Sequence, residues 1–242
     1  AALHLILPLP ARAQDELPPP AASDLICLVS PLFGFNRDEL HQRDRTGQVR
    51  TSTETAPEYG LFALAAHPRW VINDFLFFTE AADDTEVMGN FFHVNLYGDP
   101  DATATWNVGA GHLYHKIEPP GQEITVNVPM VKAGPILRLP ACRVTLNPYL
   151  GYAWERIDTR HGDTANDSWL YGLTLDWRWR MLALNAKYYY QASRDAEEDY
   201  NTVHLRFTAG ITRHWGMAIR FDYMEHVTTD DTAVLAGPVY VF

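Results

Sequence analysis

The chain has 242 residues, of which 30 are Asp or Glu and 19 are Lys or Arg, for a formal net charge of -11. With no concentrated basic face, that balance argues against a general nucleic-acid binder, so no nucleic acid is expected as a partner. The 47% hydrophobic content suits one large β domain or two small ones, and no run of about eighteen apolar residues occurs, which excludes a helical membrane span but not a barrel, whose strands need only about ten alternating residues.

The stretch LHLILPLPARAQDE, 3–16, reads as the apolar core of a secretory signal followed by Ala11-Arg12-Ala13, the small-x-small pattern of a cleavage site. Residues 1–13 are then a signal remnant, with a disordered apolar tail as the competing reading. Residues 14–24, containing DELPPPAASD, read as a proline-rich periplasmic spacer, and 25–242 as one barrel domain. Cys27 and Cys142 fall in segments far apart around such a barrel, so free thiols are expected.

From residue 25 onward, twelve strand-like segments follow, near 25–36, 57–66, 69–79, 89–98, 103–116, 123–138, 143–157, 168–179, 182–193, 202–212, 215–226 and 233–242. The polar connections at 36–58, 80–87, 117–122, 158–167, 194–201 and 227–231 are the longer ones. Between them lie short links such as His67-Pro68, Arg180-Met181 and Arg213-His214. Long loops at one end and tight turns at the other are the pattern of an outer-membrane barrel. The expected fold is therefore all-β, an antiparallel up-and-down transmembrane barrel with a polar lumen and both chain ends periplasmic.

Alternation supports it. On 168–179, Trp169, Tyr171, Leu173, Leu175, Trp177 and Trp179 share one parity against Gly172, Thr174, Asp176 and Arg178. Rings stand at both ends of this run and leucines in the middle. Ten residues at roughly 3.3 Å rise, tilted about 40°, span roughly 25 Å, the height of a lipid-facing band. Tyr152 and Trp154, with Tyr188 and Tyr190, join Trp169 and Tyr171 in an outer girdle, and Trp215, Tyr240 and Phe242 join Trp177 and Trp179 in an inner one. A soluble aromatic core would scatter its rings through the middle instead.

The opposite parity carries charge. Hairpin turns at 180–181, 194–201 and 213–214 would set Thr174 across from Lys187, Lys187 from Thr208, Thr208 from Arg220, and Arg206 from Asp222. With Asp176, Arg178 and His204, these make a ladder of charges on the lumen face. Basic residues Arg178, Arg180, Lys187, Arg206 and Arg220 outnumber Glu155, Asp176 and Asp222 there. Two readings stay open: paired charges that only fill a narrow lumen, and a pore eyelet favouring anionic or hydroxyl-rich solutes.

The chain ends LAGPVYVF, with Phe242 last and Tyr240 two before it. This resembles the C-terminal signature of bacterial outer-membrane β-barrels, and in size and strand number the chain is similar to small porins of about twelve strands. The resemblance implies residence in the outer membrane, contact with membrane lipid and lipopolysaccharide, recognition of Phe242 by the barrel-assembly machinery, and passive diffusion of small solutes without a cofactor. Outer-membrane serine hydrolases need a His-x-Ser pattern, which is absent. Asp83, Asp84, Glu225 and His226 invite comparison with omptin-like proteases, but Glu stands where an Asp is needed and the spacing differs. A lipid-modifying enzyme, or an adhesive barrel acting through 37–56, are the further alternatives. His112 and His115, three apart in a strand, point to opposite faces and make a poor metal pair, so no metal site is expected. The loops TRHGDTAND and DAEED could collect divalent ions, against a plain solvated surface.

Overall fold

The computed structural model describes residues 25–43, 49–80, 85–119, 121–160, 162–193, 199–225 and 229–242, with backbone only at 40–43 and 49–50. The signal and spacer segments, together with Asp83, Asp84 and His226, lie outside the described residues. The twelve strands are β1 (Ile26–Arg43), β2 (Val49–His67), β3 (Trp70–Glu80), β4 (Glu86–Tyr97), β5 (Ala104–Glu118), β6 (Ile124–Leu139), β7 (Val144–Thr159), β8 (Gly162–Trp179), β9 (Leu182–Ser193), β10 (Tyr200–Gly210), β11 (Trp215–Glu225) and β12 (Thr229–Val241). Each pairs antiparallel with its chain neighbours, and β12 closes on β1, so the wall has no free edge.

The polar stretches expected as the two longest loops are largely strand. β1 and β2 stay paired from Arg37↔Thr55 to Arg43↔Val49, and β7 and β8 from Asp158↔Asp163 to Thr159↔Gly162. Here both faces of the ladder carry polar residues, so the apolar alternation that marks a strand against lipid is missing. The turns at the end holding Phe242 remain short: Arg180-Met181 joins β8 to β9, with Arg180 at φ 51, and a 3-10 turn at Pro140–Cys142 joins β6 to β7.

Outward residues form an apolar mantle, with Phe33, Leu61, Leu150, Leu173 and Ile219 all exposed. An open, water-facing surface of this kind is costly, whereas in a bilayer it is solvated, and a closed barrel satisfies every backbone group on the way across. The inside differs from the polar lumen expected. At the end holding Leu25 and Phe242, Leu28, Leu32, Leu64, Val71, Leu235 and Val239 pack together inside the wall, and nearer the other end Val128, Ala153 and Leu170 do the same. Strand β1, ICLVSPLFGF, is apolar on both parities and so hid which face it turned inward. Cys27 and Cys142 are both free, as expected.

Two seams in the wall are built by proline. Pairing between β1 and β12 lapses between Val29↔Tyr240 and Phe33↔Ala236, around Pro31, which has no N–H to give. In the gap the Ser30 hydroxyl donates to the Pro238 carbonyl at 2.9 Å. Pairing between β6 and β7 lapses likewise around Pro135 and Pro148.

Because every strand is paired on both sides, unheated protein in dodecyl sulfate is expected to migrate as a compact species and to shift to full mass on boiling. A single heat-independent band would contradict the closed wall.

Candidate functional site

Strand parity decides what meets the lumen. Asp176 on β8, Lys187 on β9, His204 and Arg206 on β10, and Arg220 and Asp222 on β11 line one internal cavity of about 200 Å³. Arg178 has the same parity as Asp176, but it lies outside the cavity lining, near the 180–181 turn. Arg180 sits in that turn, exposed, with its guanidinium 5.0 Å from the Trp179 ring centre. It does not face the lumen.

The cross-strand register departs from the sequence expectation, except for Thr174↔Lys187. Lys187 faces His204 rather than Thr208, Thr208 faces Ala218, and Arg206 faces Arg220. The link between β10 and β11 is the four residues 211–214, not a two-residue turn. Each slip is an even number of residues, so every side chain kept its face while its partner changed.

The consequence is a different charge pairing. Asp222 receives Arg220 Nε at 2.5 Å on one oxygen and meets His204 Nδ1 at 2.6 Å through the other. Asp176 accepts from the Asn185 amide at 2.5 Å. Lys132, Lys187 and Arg206 make no salt bridge among the described residues. Instead they rest on aromatic faces: Lys132 4.8 Å from the Tyr149 ring centre, Lys187 4.9 Å from Phe91, and Arg206 4.2 Å from Phe62. Arg220, besides its ion pair, lies 3.6 Å from the Phe75 ring centre.

Phe62, Phe75 and Phe91 come from β2, β3 and β4, and the cations that cover them from β10, β11 and β9. These contacts therefore cross the lumen and narrow it at mid-height. Beside the narrowing, the cavity wall is rich in amides, including Asn95, Asn107 and Asn147; the side-chain oxygens of Asn107 and Asn147 are buried without a protein partner. At the mouth near the 44–48 connection, Asp38, Glu58 and Asp231 point inward, and buried Asn36 stands beside them.

Sequence reasoning missed Lys132, Arg138, the phenylalanines and the amide wall. Lys132 sits in VNVPMVKAGPIL, where both parities are apolar, so nothing marked it as inward. The phenylalanines were indistinguishable from lipid-facing ones.

Several of the outward rings contact one another. Tyr152 lies 5.1 Å from both Trp154 and Trp169, and Tyr171 6.4 Å from Tyr190. At the other end Trp215 lies 4.7 Å and Phe242 4.9 Å from Tyr240. Trp177 and Trp179 share the outward parity of β8, and Trp179 is exposed. His112 faces outward, while His115 faces the lumen against Phe77 at 5.3 Å, so the two do not meet. Among the described residues no group of His, Cys, Asp or Glu could hold a metal ion. Of the protease-like set, Glu225 is exposed at the strand end, where Asn201 donates to it at 3.5 Å.

No protein-family model and no curated protein matches the sequence. Solved structures do match. The translocator domain of the autotransporter NalP from Neisseria meningitidis superposes with a TM-score of 0.53 at 12% identity, covering 95% of this chain and 92% of that one. The beta domain of the Bordetella autotransporter BrkA gives 0.47 at 13%, over 88% and 98%, and the KdgM porin 0.41 at 7%, over 87% and 99%. The first of these shows the fold. That fold is a closed, all-antiparallel β-barrel of twelve strands.

Proposed function

We propose that this barrel is an outer-membrane channel for small anionic, hydroxyl-bearing solutes. The observation that carries the reading is the set of cations at the narrowest level, Lys132, Lys187 and Arg206, held on ring faces without a carboxylate partner and bordered by an amide wall. A cation already paired with a carboxylate has its field cancelled, whereas one on a ring keeps most of it available to a passing anion. Amides exchange hydrogen bonds with hydroxyl groups without charge preference. The solute then displaces the ring contacts as it passes. In the membrane, the two clusters of rings take the interfacial levels, lipopolysaccharide surrounds the outer one, and Phe242 belongs to the segment offered to the assembly machinery.

The test is single-channel recording in planar bilayers under a salt gradient. The expected result is discrete conductance steps with a reversal potential favouring the anion, sharpened at low ionic strength because screening weakens. Arg206→Met and Lys187→Met should each move the reversal potential toward zero while leaving the barrel heat-modifiable. Electrical silence or cation preference would overturn the reading.

A further inference from the structure

Four residues on either side of Asp74 in β3 stand Trp70 and Phe78, all three on the outward face, since Asn73 and Phe75 between them line the lumen cavity. At about 3.3 Å per residue, Asp74 is thus midway between two rings of the mantle. Its carboxylate accepts from the Asn90 amide on β4 at 2.7 Å, and that too lies outside the wall. In the same cross-strand row Asp74 faces Phe92, and Phe92 faces His112 on β5, another outward residue. An acid, an amide and an imidazole therefore lie on one face of the mantle, between the ring levels, where an uncovered charge is costly in lipid.

We propose that this face, centred on Phe92 of β4, is covered by the same face of a second copy of the chain. Two barrels inserted in the same direction are related by a two-fold axis along the membrane normal, and an axis beside β4 sets β3 of each copy against β5 of the other. The row climbs with the strand tilt, so each carboxylate meets the partner's imidazole obliquely, its N–H donating across the interface twice over. The patch is complementary to itself in a way an apolar face is not. Ala63, in the same row on β2, and Ala110, in the next outward row on β5, leave room for close approach.

The experiment counts copies of the full chain in lipid nanodiscs and in native membranes by cross-linking. Wild type is expected as a dimer, and Phe92→Cys is expected to link to itself, whereas Leu173→Cys on β8 is not. Asp74→Leu or His112→Leu should raise the dimer dissociation constant about tenfold or more, because two-fold symmetry removes two polar contacts at once. The exchanged pair, Asp74→His with His112→Asp, should restore the dimer. Heat-modifiable migration verifies folding of each variant. A monomer under all conditions, with lipid or another protein as the cover, or an exchanged pair that stays monomeric, would overturn the proposal.

Discussion

Replacing Asp222 by alanine is expected to lower the unfolding free energy of the barrel by about 3 kcal/mol, toward the lower end of the loss seen when one partner of a buried ion pair is removed. Asp222 holds Arg220 at 2.5 Å and His204 at 2.6 Å, and all three side chains are largely shielded within the lumen. Without the carboxylate, the guanidinium keeps its charge and loses its ion-pair partner, keeping its contact with the Phe75 face. Cavity water recovers part of the loss, which sets the estimate low in the range. Arg206→Met, on a cation with no salt-bridged carboxylate among the described residues, should cost clearly less. Urea unfolding in lipid vesicles, followed by tryptophan fluorescence, separates the two. Equal losses in both variants would mean that Asp222 fills space rather than neutralising its neighbours.

The same pair of residues shows how far sequence alone reaches. Alternation on β8 to β11 puts Asp176, Lys187, His204, Arg206, Arg220 and Asp222 on one face, the face that borders the internal cavity, because period two is intrinsic to the strand. It could not say which of them meet. That depends on register, and register is fixed by the turns, where the 211–214 connection proved two residues longer than the Arg213-His214 turn inferred from polarity. Arg220 rather than Arg206 is therefore the arginine paired with Asp222.

Other features left no periodic trace. Strands β1, β2 and β12 are apolar inside as well as outside over the half of the barrel near Leu25 and Phe242, so alternation vanishes where the inner core is packed. At the opposite end it vanishes for the reverse reason, since both faces of β1 beyond Asn36 are polar. Asp74 was passed over because a lone acid within WVINDFLFF reads as a lumen residue until its neighbours show which way it points. The ring contacts at Tyr152 and Tyr240 join residues that alternation puts on one outward parity, so residue type and spacing agree there.

The second large effect is expected at the closing seam, where Gly237→Val should abolish assembly of the heat-modifiable barrel. A Cβ on Gly237 would lie 1.9 Å from the carbonyl oxygen of Pro31 and 2.9 Å from its carbonyl carbon. Those atoms are backbone, so no side-chain rotation relieves the contact, and the two strands must separate. Overpacking of a tight core costs on the order of 3 kcal/mol when neighbours can shift, and here they cannot shift without opening β1 from β12. Pro31 has no N–H with which to rebuild the ladder, and the Ser30 hydroxyl bond to Pro238 would be pulled apart as well. Gly34, on the other strand, is as constrained, with a Cβ position 1.8 Å from the Val234 carbonyl oxygen. Ala236→Val is the control: Ala236 is the preceding residue, exposed on the outer face, and two added methyls there meet lipid. The control is expected to fold like wild type, and Gly237→Val to remain at the position of unfolded protein with or without boiling. A folded Gly237→Val barrel would show that β1 and β12 close with more separation than the two glycines impose.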